Sequence, residues 1–302
     1  MEDQSQSFLS AVFRPGPTRE RPPLSATGRA GRNLPAAVTT GAVLVVVIAV
    51  ALFVYPPLFI GVIAVACLAG VWELAGAFAR MGVSVAVVPL YVGAIGMVTC
   101  AWLLGAEGML FAMYLTVFVC AAWRLLDART ESRMSDIASS AFVAVYVPFL
   151  AAFVVLMVSA WPNPWVFLSY EAMVIASDTG GWAAGIAIGR HPMAPRLSPK
   201  KSWEGFAGSC LAAMGVGCLG LHLLGAQWWW GLVAGVLVAF VGTMGDLTES
   251  LIKREAGIKD MSGLLPGHGG VLDRVDAVLM TAPVVYFVYA LALPGVSWEG
   301  SH

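Results

Sequence analysis

The chain has 302 residues, 59% of them hydrophobic and only 12% charged, with a formal net charge of -1. A mean hydropathy of +0.81 excludes a water-soluble globular domain, which needs far more charge to cover its surface. With 17 basic against 18 acidic residues there is no basic excess to suggest a nucleic-acid partner, and the charges inform through their position along the chain.

Residues 1–35 are rich in Pro, Ser, Gly and Arg. They carry too little apolar surface to offset the entropy of ordering, so a disordered cytoplasmic tail is expected, with no cleaved signal sequence. Apolar runs of roughly the 17–25 residues that a spanning helix needs follow at 37–55, 57–79, 85–104, 108–126, 138–160, 163–189, 206–225, 227–245 and 277–293. The expected fold class is an all-α integral membrane protein, a polytopic bundle of about nine transmembrane helices. It divides into N-terminal transmembrane helices over 36–160 and a C-terminal transmembrane region over 161–302, with cytoplasmic loops at 190–205 and 246–276. Cys67, Cys100, Cys120, Cys210 and Cys218 all fall within apolar runs and read as packing residues.

Orientation follows from the excess of Lys and Arg in cytoplasmic loops. All 17 basic residues fall in the tail or after the even-numbered spans. The tail holds Arg14, Arg19, Arg21, Arg29 and Arg32; Arg80 follows span two, and Arg124, Arg129 and Arg133 follow span four. Arg190, Arg196, Lys200 and Lys201 follow span six, and Lys253, Arg254, Lys259 and Arg274 follow span eight. The N-terminus is therefore expected in the cytoplasm. Trp161, Trp165 and Trp228 to Trp230 flank the opposite loops, as an interfacial aromatic belt would. There is no internal repeat of the kind that inverted-repeat transporters carry.

The polar residues gather in two places. Asp246 closes span eight, and Asp273 and Asp276 open span nine, three apart and so on one helical face. Converging carboxylates repel unless a cation lies between them, and magnesium prefers hard oxygen ligands of this kind, taking one or two carboxylates together with substrate phosphates. The alternative is that they are solvated helix-end charges. Between them, "GLLPGHGG" offers glycines whose backbone can approach a phosphate, with Lys253, Arg254 and Lys259 as positive charge. Attraction to anionic lipid head groups also explains the basic residues, but not the Gly-His-Gly-Gly. His268 is placed either for a phosphate or leaving-group contact or for a structural one.

The second place is "YEAMVIASDTGGWAAGIAIGRH", where Glu171 and Asp178 lie inside a predicted span. A charge there costs about 2.5–3.5 kcal/mol on insertion scales. Asp178, beside Ser177, Thr179, Gly180 and Gly181, is expected to line a cavity; the role of Glu171 stays open. In "PRLSPKKSWEG", Lys200 and Lys201 precede the helix that Trp203, Glu204 and Gly205 begin. The segment either caps and anchors that helix or holds a polyphosphate.

The run Ser250-x-Ile252-Lys253-Arg254, four residues, Lys259-Asp260-x-Ser262, then Leu265-Pro266-x-His268-Gly269-Gly270-Val271-x-Asp273-Arg274-Val275-Asp276 resembles, without a gap, the full signature of the phosphatidate cytidylyltransferases, or CDP-diacylglycerol synthases. "SDTGGW" and "SPKKSWEG" are similar to upstream segments of that family, so the resemblance spans roughly 171–276. Ser202 stands where Thr is more usual, "GRHPMAPR" is a loose version of its segment, and the first five spans are similar only in hydropathy. The resemblance implies transfer of a cytidylyl group from CTP to phosphatidic acid, giving CDP-diacylglycerol and pyrophosphate, in a cell-membrane enzyme whose site faces the cytoplasm. It implies Asp246, Asp273 and Asp276 as metal ligands for Mg2+, with a second metal or a monovalent cation as a further expectation. Lys253, Arg254 and His268 are the other expected catalytic residues. Lys200, Lys201, Ser250, Lys259, Asp260, Gly269, Gly270, Arg274 and Asp178 are expected to bind substrate. A homodimer is implied as well, with membrane lipid as the surroundings.

Three other readings are weighed against it. A solute transporter suits the many spans and the intramembrane Asp178, but not polar residues gathered in one loop of phosphate-binding character. A CTP-dependent polyprenol or phytol kinase would transfer the γ-phosphate and release CDP. A CDP-alcohol phosphotransferase requires DxxDGxxAR, which the sequence lacks.

Overall fold

A computed structural model describes residues 34–127, 134–195, 197–265 and 267–293. The expected tail up to residue 33, together with Arg129, Arg133 and Arg196, lies outside the described residues. In lipid the backbone must satisfy its own hydrogen bonds, so apolar runs of this length become helices. These are α1 (Leu34–Val54), α2 (Pro56–Arg80), α3 (Val87–Leu126), α4 (Met134–Ala160) and α5 (Pro164–Ile188), then, after a small hairpin, α6 (Trp203–Leu223), α7 (Trp229–Glu255) and α8 (Leu272–Ala292). Among the described residues six of them, α2, α3, α4, α6, α7 and α8, are long and apolar enough to cross a membrane.

The 40 residues of α3 would extend about 60 Å at 1.5 Å per residue, roughly twice a hydrocarbon core. Gly105, at φ 69 and ψ -156, breaks them into two arms, in a conformation that glycine alone adopts without a Cβ penalty. The arms pack on each other: a Cβ at Gly93 would lie 2.2 Å from the Thr116 methyl. This single element therefore accounts for the separate runs at 85–104 and 108–126. Within α4, Pro148 has no N–H to donate, and the helix widens to a π-turn over Val145–Phe149.

The chain forms two compact units, whose division falls within α4, α7 and α8. The first comprises the residues through Ala152 together with Ile252–Val275. Its core includes Leu74, Leu90, Ala94, Met97 and Val143, all fully buried. A buried ion pair joins its connecting segments: Arg124 Nη2 lies 2.8 Å from Asp136 Oδ2, while Ser84 N donates to Asp136 Oδ1 at 3.1 Å. The end of α3, the start of α4 and the segment after α2 thus meet at one end of this unit.

The second unit comprises Phe153–Leu251 and the described residues from Asp276 onward. Here α5, α6 and α7 approach through backbone. A Cβ at Gly180 would lie 2.7 Å from the Gly208 carbonyl oxygen, and one at Gly217 would lie 2.7 Å from that of Gly231. Small residues allow such contact, and in lipid the resulting packing and polar contacts replace the hydrophobic drive. The glycines of "SDTGGW" consequently serve helix packing, with Ser209 Oγ donating to the Ser177 carbonyl at 2.8 Å. On the far side of α5, Tyr170 OH bonds to Thr281 Oγ1 at 2.9 Å and Ser169 Oγ to Tyr289 OH at 2.7 Å, which ties α5 to α8.

Two expectations are refined. The 190–205 segment is not all loop: β1 (Pro192–Ala194) and β2 (Ser198–Ser202) form an antiparallel hairpin, a small exception to the all-α class. Residues 246–255 are not loop either, because α7 continues to Glu255. After Gly245 there is no Gly or Pro before Gly257, which ends the helix at φ 66 with Ile258 N donating back to the Lys253 carbonyl.

Candidate active site

Helices α7 and α8 come close at Gly245, where a Cβ would lie 2.8 Å from Met280 Cγ and 3.3 Å from the Asp276 carbonyl oxygen. That approach brings Asp246, Glu249 and Asp276 together, with one carboxylate oxygen of each within 4.8 Å of the others. Asp246 and Glu249 share a face of α7 at three-residue spacing, and Glu249 is only 1% exposed. An all-oxygen, all-anionic donor set suits a hard divalent cation, so the residues fit the expected Mg2+. Lys201, on β2, forms an ion pair with Asp246. Asp178 on α5 lies within electrostatic reach of both Asp246 and Lys201.

The hairpin is fastened to the start of α6. Ser202 Oγ accepts from Gly205 N at 3.1 Å, an N-cap. Glu204 accepts from Arg190 N and His191 N and pairs with His191 Nδ1 at 2.5 Å. The helix-capping role of this segment is therefore present, and it leaves Lys200 exposed beside the paired Lys201.

In the first unit, Asp273 opens α8 with both oxygens engaged. Oδ1 takes Lys253 Nζ at 2.8 Å, and Oδ2 accepts from Met261 N and Gly270 N, each at 2.8 Å. Among the described residues the carboxylates that come together are Asp246, Glu249 and Asp276, two of them from the expected trio; the third, Asp273, pairs with Lys253 and accepts from the loop. In that loop Leu265 N donates to the Gly269 carbonyl at 2.9 Å, closing a tight turn that presents His268. Gly269 has φ +88, with Asp273 Oδ2 only 3.1 Å from where its Cβ would be; a side chain is disfavoured by conformation and space alike. Arg274 Nε donates to the His268 carbonyl at 3.0 Å. The His268 ring packs toward Gly41 of α1, and its Nδ1 is buried with no partner among the described residues. Arg254, Lys259 and Asp260 are exposed, while Ser250 on α7 is half-buried.

Two residues were missed by sequence reasoning. Glu249 follows the same three-residue rule from Asp246 that singled out Asp273 and Asp276. Glu73 is the only charge in the 57–79 apolar run, a signal for a polar role inside a membrane. It is 2% exposed and accepts from Ser262 Oγ at 2.5 Å, Val271 N at 2.8 Å and Leu272 N at 2.8 Å.

Comparison with known proteins agrees in extent with this arrangement. The profile described as "Cytidylyltransferase family" matches residues 35–292. A phosphatidate cytidylyltransferase of Mycobacterium bovis is 39% identical over 295 residues, covering 92% of this chain and 95% of the relative. One from Mycobacterium leprae is 36% identical over 281 residues, covering 88% and 90%. One from Brucella suis is 43% identical over 121 residues, 40% of this chain and 45% of the relative. A match that runs from α1 to the end of α8 takes in the N-terminal helices, which hydropathy alone could not assign, and the chain therefore belongs to the cytidylyltransferase family.

Proposed function

We propose that this protein is a phosphatidate cytidylyltransferase, converting CTP and phosphatidic acid to CDP-diacylglycerol and pyrophosphate. The observation that carries the reading is the identity of 39% along 95% of a relative bearing that name. An acidic cluster and a basic, glycine-containing loop are the chemistry such a reaction needs. An oxygen of the phosphatidate phosphate attacks the α-phosphorus of CTP, the bond from that phosphorus to the bridging β-oxygen breaks, and pyrophosphate departs. The lipid phosphate is already ionised, so no strong base is required.

Bringing two anions into attack geometry is most of the barrier, which makes positioning and electrostatics the chief contributions. Asp246, Glu249 and Asp276 are the ligands we assign to Mg2+. When bound there, the cation neutralises charge on the phosphates. Asp273 we assign to holding Lys253 and the loop in place. Lys253, Arg254, Lys259 and Arg274, with Lys200 and Lys201, hold the two substrates, and Ser250, Asp260, Gly269 and Gly270 shape their surroundings. His268 contacts a phosphate of the nucleotide, and Asp178 acts through its reach to Asp246 and Lys201.

The placement in the membrane is part of the same reading. α1, α2, the two arms of α3, and α4 to α8 make nine crossings, with the N-terminus and the basic segments in the cytoplasm of a cell-membrane protein where CTP is available. A homodimer, and a second metal or monovalent cation, complete the proposal. The test is purified protein with phosphatidic acid, Mg2+ and CTP labelled separately on the α- and γ-phosphates. α-Label in the lipid with pyrophosphate released supports the reading; γ-label in the lipid means a kinase, and transfer of neither sinks it.

A further inference from the structure

The loop between α7 and α8 is held at both of its ends by two carboxylates that come from different helices. At its start, Met261 N donates to Asp273 and Ser262 Oγ to Glu73. At its finish, Gly270 N donates to Asp273, and Val271 N and Leu272 N to Glu73. Neighbouring donors thus go to one acid and then the other, and the loop is closed like a clasp. Glu73 also satisfies amides that the first turn of α8 leaves without intrahelical partners, at the end of the helix dipole that favours an anion. Gly270 fits between the two acids: a Cβ there would lie 2.7 Å from Glu73 Oε1 and 3.0 Å from Asp273 Oδ2.

We propose that Glu73, far from the signature in sequence, is the positioning residue that fixes the 261–272 loop and the start of α8 for cytidylyl transfer. This rests on the reading of the activity given above. His268 and Gly269 lie inside the clasped loop and Asp273 in the first turn of α8, so each takes its place from where the clasp holds the chain. A charge-assisted bond to backbone N–H fixes direction as well as distance. Misplacement of a reacting group by about 1 Å costs on the order of a hundredfold in rate. An apolar residue at 73 would fill the helix equally well and leave three donors unmet.

The test compares wild type with Glu73→Gln and Ser262→Ala in detergent, by amide hydrogen exchange and by steady-state kinetics. In Glu73→Gln, one acceptor oxygen becomes a donor that faces the loop. Exchange over 261–272 is expected to rise about tenfold or more while α3 and α6 exchange as in wild type. The turnover number is expected to fall about ten- to a hundredfold, with KM for phosphatidate within about twofold. Ser262→Ala, which leaves Glu73 its two amides, is expected to shift both in the same direction by less. Unchanged loop exchange in either variant overturns the proposal, as does faster exchange spread equally through α3 and α6, which would mark a general packing role. If Glu73→Gln does not fold, Ser262→Ala decides. Wild-type protein without transfer would sink the proposed activity, whereas the exchange data judge the clasp independently of it.

Discussion

Lys253 Nζ lies 2.8 Å from Asp273 Oδ1, joining the last turn of α7 to the first turn of α8. The two partners are not equally dependent on each other. Asp273, 4% exposed at the side chain, keeps two backbone amides when Lys253 is removed. Lys253, 16% exposed, loses a carboxylate when Asp273 is neutralised. Asp273→Asn weakens three bonds at once and turns one acceptor oxygen into a donor facing its partners, whereas Lys253→Met removes one donor and leaves Asp273 its two amides. Asp273→Asn is therefore expected to lower the unfolding midpoint in detergent further than Lys253→Met. Both are expected to reduce cytidylyl transfer by more than about a hundredfold, since a positioned cation and its holder act as one unit. Equal destabilisation by the two would contradict this division.

What the sequence disclosed follows the range of the interactions involved. Runs such as 57–79 and 277–293 needed only hydropathy, because lipid leaves a chain few alternatives to a helix. Asp273 and Asp276 were visible through three-residue spacing and Asp246 as the close of span eight, but neither signal says which helix face meets the neighbour. Only the approach at Gly245 selects Glu249 for the cluster. Glu73 was hidden for a different reason: its partners Ser262 and Leu272 lie 189 and 199 residues away, and no local pattern encodes a pairing at that distance. The hairpin at 192–202 escaped because a short polar strand pair with three prolines shows neither alternation nor propensity. Glycines have more than one use: Gly180 and Gly181, beside Asp178, admit the close approach of α6.

That use of glycine predicts a contrast within one helix. A Cβ at Gly208 would lie 2.6 Å from the Gly180 carbonyl oxygen and 2.4 Å from Ala184 Cβ, whereas Gly215, also on α6, has nothing within 4 Å of its Cβ position. Gly208→Ala is expected to destabilise by about 1–3 kcal/mol, the usual range for overpacking. Gly215→Ala is expected to be neutral or to stabilise by up to about 1 kcal/mol through helix propensity. Thermal unfolding of both variants in one detergent measures the difference, and equal midpoints would reject the close α5–α6 approach.

Arg124 and Asp136, at 4% and 3% exposure, form an ion pair in the first unit, and Asp136 also receives Ser84 N. Neither belongs to the proposed chemistry, so the pair is expected to affect stability rather than turnover per folded molecule. Arg124→Met and Asp136→Leu should each destabilise, by up to about 3–5 kcal/mol, the second by less because Arg124 Nη1 keeps Asp127 Oδ2 at 3.3 Å. The double substitution should cost less than the sum, the residual including the Ser84 amide without Asp136 and Asp127 without Arg124. A double-mutant cycle on unfolding midpoints reads the coupling; strict additivity would mean that the two charges do not interact.

The carboxylate cluster makes the most direct prediction about the chemistry. Asp246 is shared between that cluster and Lys201, so its charge is partly balanced, and Glu249 lies 1% exposed in the same cluster. Three such groups within 4.8 Å repel one another without a cation. Wild type is therefore expected to gain thermal stability on adding Mg2+, as any ligand that binds only the folded state confers. Removing the metal with a chelator should abolish transfer, and adding Mg2+ back should restore it. Glu249→Gln relieves part of the repulsion while removing one charged ligand. It should be as stable as wild type or more so without metal, respond less to Mg2+, and need about tenfold more Mg2+ for half-maximal activity. If Glu249→Gln kept the wild-type Mg2+ response in both stability and activity, the third ligand would have to be sought elsewhere, with Asp273, released from Lys253, the next to test.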